Sequence, residues 1–154
     1  MTLKMIHHHG FTVSNIEQSL KFYRDVLDLE VVRISERKEL PSYDTILGYE
    51  NVHLRVAILT HPVNDFVMEI FEYVNPPSTK RELTNYYVGS SHLAFEVDNI
   101  DEQYEKVQAA GFDSINPPVD VMRDGRKIAR AMYVLDPDGI SVELFQEFAD
   151  MVGG

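Results

Sequence analysis

The sequence predicts an α+β fold built from two tandem βαβββ modules, and three observations carry that prediction. The chain repeats itself. His8-His9-Gly10-Phe11-Thr12-Val13-Ser14-Asn15-Ile16-Glu17 is matched by His92-Leu93-Ala94-Phe95-Glu96-Val97-Asp98-Asn99-Ile100-Asp101. Each copy is followed by an apolar strand carrying a carboxylate, Met68-Glu69-Ile70-Phe71-Glu72 and then Val142-Glu143-Leu144-Phe145-Gln146. The second of these strands follows Asp136-Pro137-Asp138-Gly139, a hairpin signal between two apolar runs. A repeat of this kind means two similar modules in an approximate two-fold arrangement.

The first module, residues 5–74, opens with a strand at about 5–13. Ser14 or Asn15 caps the next helix, in which Ile16, Leu20, Tyr23 and Leu27 recur at helical spacing. A strand at about 29–37 follows, and the polar stretch 39–50 reads as a loop. Strands at about 51–60 and 65–74 are joined through His61-Pro62-Val63-Asn64. Residues 75–90 form a linker opened by Asn75-Pro76-Pro77-Ser78, with a helical turn expected within 79–87. The second module, 91–147, repeats the order. It has a strand at 91–98, a helix at about 100–110 ended by Gly111, and a loop-rich stretch with Pro117-Pro118. Strands at about 128–135 and 140–147 complete it.

The bulk properties narrow the function classes. A chain of 154 residues is long enough to bury a core as one domain, 1–154. A formal net charge of −11 argues against nucleic acid or an anionic membrane as partner, since phosphate binding relies on Lys and Arg. No apolar run approaches the roughly 20 residues needed to span a bilayer. The absence of cysteine excludes disulfides and thiolate chemistry. Met1-Thr2-Leu3-Lys4-Met5-Ile6 has no long apolar core, so a cytoplasmic protein is expected. Arg123, Arg126, Lys127 and Arg130 cluster around Gly125. They read as a charged hairpin turn or as a contact for an anionic substrate tail.

Strand alternation assigns faces. Leu93, Phe95 and Val97 share an apolar face that packs on the helix, so His92 points the opposite way. By the same rule Phe11 and Val13 face the first helix, and His8 faces away. Glu69 and Glu143 oppose the apolar Met68/Ile70 and Val142/Leu144 pairs. All four therefore lie on the non-helix faces of their sheets. If the modules pair, the two sheets close into a half-barrel whose concave side carries His8, Glu69, His92 and Glu143. Two imidazoles and two carboxylates in matched positions form a metal-ligand inventory. His7 and His9 flank His8, but the register of the repeat selects His8. Arg55 is expected to share the concave face, where it pairs with a substrate carboxylate, Glu69 or Glu50.

This layout resembles the vicinal oxygen chelate superfamily, which includes glyoxalase I, methylmalonyl-CoA epimerase, extradiol dioxygenases and the fosfomycin and bleomycin resistance proteins. The residues that carry the resemblance run over about 5–147. They are His8-x-x-Phe11-x-Val13, Ser19, Phe22-Tyr23, Met68-Glu69-Ile70, His92-Leu93-Ala94-Phe95-x-Val97-x-Asn99-Ile100 and Tyr133-x-x-Asp136-Pro137-Asp138-Gly139-x-x-x-Glu143.

The resemblance implies one divalent metal, Fe, Mn, Ni, Co or Zn, held by His8, Glu69, His92 and Glu143. It also implies a small-molecule substrate and a homodimer, or pairing of the two modules within one chain. Family chemistry of the glyoxalase and epimerase type moves a proton next to a carbonyl while the metal stabilises the enolate. Glu143 or Glu69 then serves as base, with Glu50 as a further catalytic candidate near the place an epimerase glutamate occupies. Arg55, Tyr133 and Arg130 are the candidates for substrate contact. A lyase, isomerase or epimerase is the expected class. The alternatives are an Fe(II) extradiol-type dioxygenase and a non-catalytic binding protein of the resistance type. Ring-cleaving members carry a histidine upstream of the residue preceding the signature tyrosine. Here Met132 precedes Tyr133, and the window holds Asp124, Gly125 and Arg126. That absence, with Glu69 filling a fourth ligand position, favours proton transfer.

Overall fold

The computed structural model describes residues 2–148. The chain divides into two compact units, 1–81 and 82–154. The first unit holds β1 (His9–Thr12), α1 (Ile16–Tyr23), β2 (Glu30–Lys38), α2 (Pro41–Leu47), β3 (His53–Thr60) and β4 (Val67–Asn75). The second holds β5 (Leu93–Glu96), α3 (Ile100–Ala109), β6 (Val119–Arg123), β7 (Arg126–Leu135) and β8 (Ser141–Glu147). Each unit carries one four-stranded sheet, ordered β1-β4-β3-β2 and β5-β8-β7-β6. The βαβββ order therefore occurs twice, with α2 added in the first copy. In each sheet the opening strand lies parallel to the closing strand, and the other pairs are antiparallel.

The helices after β1 and β5 start at equivalent asparagines. Asn15 Oδ1 accepts from the Gln18 N–H at 2.9 Å, so Asn15 is the cap rather than Ser14. Asn99 Oδ1 accepts from the Asp101 and Glu102 N–H groups. These bonds satisfy donors that the first helical turn leaves unpaired. In the first unit Ile16, Leu20, Phe22 and Tyr23 are buried, as are Ala57, Leu59, Met68 and Ile70 of the sheet. In the second unit Ile100, Val107, Met132, Val134, Val142 and Leu144 are buried in the same way. Burial of each of the larger side chains contributes roughly 1.5–3 kcal/mol before entropy is counted.

Four expectations about elements are corrected. The first strand begins at His9, so His8 stands just before it. The stretch 39–50 is not all loop. Pro41 occupies the first turn of α2, and Gly48 ends it with φ 73°, a proline-first, glycine-last signature of a helix. Residues 79–87 contain turns and no helix. The stretch read as loop-rich in the second module contains β6, joined to β7 by Asp124 (φ 50°) and Gly125 (φ 75°). Two consecutive positive φ values make a two-residue hairpin turn whose twist suits the flanking strands. The basic residues around Gly125 thus sit on a hairpin.

Asp136 forms the turn between β7 and β8. Its Oδ1 accepts from the Asp138 and Ile140 N–H groups at 2.9 and 2.8 Å, and the side chain is buried. Among the described residues no helix is long and apolar enough to cross a membrane.

Candidate functional site

The two units are equivalent strand by strand. Gly10 stands beside Glu69 in the register, and Ala94 beside Glu143. Glu69 in turn faces Ile58, and Glu143 faces Tyr133. Glu69 and Phe71 alternate with the buried Met68 and Ile70, which places them on the sheet face away from α1.

In the first unit His8 Nε2 lies 3.9 Å from Glu69 Oε2. The two side chains are 40% and 24% exposed, open enough to take a ligand. His8 Nδ1 is 2.8 Å from His7 Nδ1. His9 goes to the other face, with its ring 5.7 Å from that of Phe11, which itself lies 5.5 Å from Tyr23 of α1. Glycine at position 10 has a steric reason. A Cβ there would stand 2.9 Å from Phe71 Cε2, inside contact distance.

In the second unit His92 Nε2 lies 3.1 Å from Glu143 Oε2, with side chains 42% and 18% exposed. Tyr133 joins this pair. Its hydroxyl is 3.4 Å from His92 Nε2, and the two rings meet edge-on at 5.2 Å. Burial and the neighbouring Glu143 carboxylate push the Tyr133 phenol above its ordinary pKa, so it is neutral at physiological pH. The first unit has Ile58 in the equivalent place. Among the described residues no group of three or more His, Asp or Glu side chains lies close enough to hold a metal ion by itself.

Arg55 and Arg130, the arginines expected to contact substrate, lie on the helix faces of their sheets. Arg55 faces Glu72 in the register and alternates with Val56, which shares the Phe71 row. It therefore lies on the helix face, opposite to the face expected from the sequence. There its guanidinium bonds Glu17 of α1 and, at 3.0 Å, Glu72. Glu72 also accepts from the Ile16 N–H at 2.9 Å. Arg130 repeats the device. It bonds Asp101 of α3, and its Nε lies 3.3 Å from Asp120. Gln146 Oε1 accepts from the Ile100 N–H at 3.3 Å, as Glu72 does in the first unit. Both arginines tie a helix N-terminus to its sheet. These bonds raise the ordinary pKa of each guanidinium further and lower that of Glu17.

Glu50 does not join Glu69. It lies in the bend before β3, exposed, and its carbonyl accepts from Asn75 Nδ2 at 3.3 Å. Five residues of extended strand separate His53 from Ile58, the residue across from Glu69, which is ~17 Å at strand rise.

The strand predicted at about 29–37 is β2, but no site residue was expected on it. Arg33, Ser35 and Arg37 lie across from Ile58, Val56 and Leu54, so they share the face of Glu69. Arg37 Nε donates to the Tyr43 hydroxyl at 3.1 Å, and Tyr43 and Leu47 of α2 pack on Val52, Leu54 and Val56. The signal was the alternation Arg33-x-Ser35-x-Arg37, which puts three polar residues on one strand face.

Known proteins share this architecture. The Bacillus subtilis protein YwkD is 27% identical over 147 residues, which covers 96% of this chain and 100% of that protein. A lactoylglutathione lyase of Haemophilus influenzae is 30% identical over 139 residues, 90% of each chain. A solved glyoxalase family protein from Bacillus cereus has the same fold, with a TM-score of 0.83 at 16% identity over 97% of each chain. A family model matches residues 5–144, nearly the whole repeat described above. The chain belongs to the Glyoxalase/Bleomycin resistance protein/Dioxygenase superfamily.

Proposed function

We propose that this chain is a divalent-metal-dependent enzyme of the glyoxalase-like type, which moves a proton on the carbon next to a carbonyl as a lyase, isomerase or epimerase. The observation that carries this reading is the repeated pair, His8 with Glu69 and His92 with Glu143. The proposed ligands of one cation are these four residues, and the cation is Fe, Mn, Ni, Co or Zn. The donor chemistry fits. Imidazole nitrogen and carboxylate oxygen suit these ions. Donors about 2.0–2.2 Å from one ion stand about 3–3.6 Å apart. The N–O distance is 3.1 Å for His92 and Glu143 and 3.9 Å for His8 and Glu69.

When bound, such an ion acts as a Lewis acid toward two neighbouring oxygens of the substrate. The proton belongs to the protein. Glu143 or Glu69 takes it from the carbon and returns it. Glu143 is hemmed in by His92 and Tyr133, whereas Glu69 has His8 at a longer distance and Ile58 across from it. Glu69 is therefore the carboxylate freer to swing onto a substrate carbon. A carboxylate held by a dication would be a weak base, so the base role would fall to the carboxylate held less tightly. The neutral Tyr133 phenol offers a hydrogen bond to a substrate oxygen. The similarity to lactoylglutathione lyases supports a lyase within this class.

The test is to load the protein with each ion and incubate it with hemithioacetals, acyl-CoA thioesters, 2-keto acids and catechols in deuterated solvent. Exchange of the α-proton without oxygen uptake is expected. Stoichiometric oxygen consumption with Fe(II) and a catechol would move the assignment to a dioxygenase, and absence of bound metal would move it to a binding protein.

A further inference from the structure

We propose that Arg33 receives the carboxylate tail of the substrate, and that the substrate is therefore a carbonyl compound with an apolar spacer between its reacting carbon and a distal carboxylate. The inference rests on Glu69 acting at the reacting carbon, as proposed above. It needs only the first unit. Four strands lay one row across the face away from α1: Gly10, Glu69, Ile58 and Arg33. Neighbouring strands are about 4.8 Å apart, so Arg33 stands two strands, roughly 10 Å, from Glu69. Between them lies Ile58, with Val56 and Phe71 in the adjacent row, an apolar floor next to the carboxylate.

Arg33 is exposed, and among the described residues no carboxylate is paired with it. The other cations of this unit near a ligand are committed. Arg37 donates to Tyr43, Ser35 and the Glu36 carbonyl, and so holds α2. Arg55 is bonded to Glu17 and Glu72 on the opposite face. In a chain of net charge −11 a guanidinium without a carboxylate partner on the face of the catalytic carboxylate stands out as a recognition group. Its planar fork matches a carboxylate at two points, which a lysine could not reproduce. A substrate lying over Ile58 can place its acidic carbon at Glu69 and its tail at Arg33.

The experiment measures metal content first and then binding by calorimetry to the Ni- or Co-loaded protein. The probes are 2-oxosuberate, with a distal carboxylate, and 2-oxooctanoate, its neutral-tailed counterpart. The unsubstituted protein is expected to favour 2-oxosuberate. Arg33→Met should reduce that preference roughly two- to fivefold, the scale of one exposed ion pair. Arg33→Lys should keep part of it. Arg55→Met is expected to lower the melting temperature and leave the preference as it was. An unsubstituted protein with no preference, or an Arg33→Met protein with the preference intact, overturns the proposal. So does a loss produced by Arg55→Met and not by Arg33→Met. A protein that takes up no metal fails at the first measurement, which overturns the enzyme reading and this inference with it.

Discussion

Three consecutive histidines show how much one residue of register decides. His8 turns toward Glu69, while His9, its neighbour, turns to the opposite face and meets Phe11. His7 meets the His8 ring edge-on. If His8 and His92 are ligands, the three histidines differ sharply in function. His92→Ala is expected to weaken metal binding by more than the ~10–100-fold that loss of a residue merely hydrogen-bonded to a ligand costs. His7→Ala is expected to fall within or below that range. Equilibrium dialysis with elemental analysis reads both. Equal losses from the two variants would mean that the ligand register is wrong. A Cβ on residue 10 would stand 2.9 Å from Phe71 Cε2, so a side chain there requires the ring to shift.

At the scale of elements, the start of each of α1 and α3 is fastened twice. An asparagine caps it, and a basic residue from the sheet bonds an acidic residue of its first turn. Acid at a helix N-terminus also suits the helix dipole. For Glu17, the hydrogen bond from Arg55 lowers the pKa below its ordinary value. A depressed folded-state value means that the stabilisation is present above the ordinary glutamate range. It is lost as pH falls through the depressed value. Because Glu17 is more than half exposed, the bond is worth under about 1 kcal/mol at neutral pH. Glu17→Gln should therefore lower the melting temperature slightly at pH 7 and leave it unchanged at acid pH. Thermal melts across that range check this. A Glu17→Gln deficit that persists unchanged in acid would show that the carboxylate's charge is not what fastens the helix.

At the scale of the whole molecule, the edge strands of the two sheets are β1 and β2 in one unit and β5 and β6 in the other, each paired on one side among the described residues. Open edges call for a partner. We propose that the protein is a homodimer or pairs its two modules within one chain. Light scattering at micromolar concentration is expected to give twice the chain mass. A monomer that still binds one metal per chain would assign the pairing to the two modules of one chain and remove the homodimer.

The two-module βαβββ fold class was legible in the sequence, because alternation and helical spacing are local periodicities, although the short β6 was read as loop. So was the juxtaposition of His8 with Glu69 and of His92 with Glu143, since the repeat aligned them and period two chose their face. What the sequence did not show depended on pairing between strands. Arg55 looked like a site residue until its register with Glu72 put it on the helix face. Arg130 followed the same logic. Glu50 was near in sequence pattern but stands at the far end of β3 from Glu69. Tyr133 was named from its motif, yet its approach to His92 needed β7 and β8 laid side by side. Arg33 shares a row with Glu69 only because two strand pairings, β2 with β3 and β3 with β4, bring them to one level. A face can be read along one strand, but a row across several strands exists only once hydrogen bonding has set their registers.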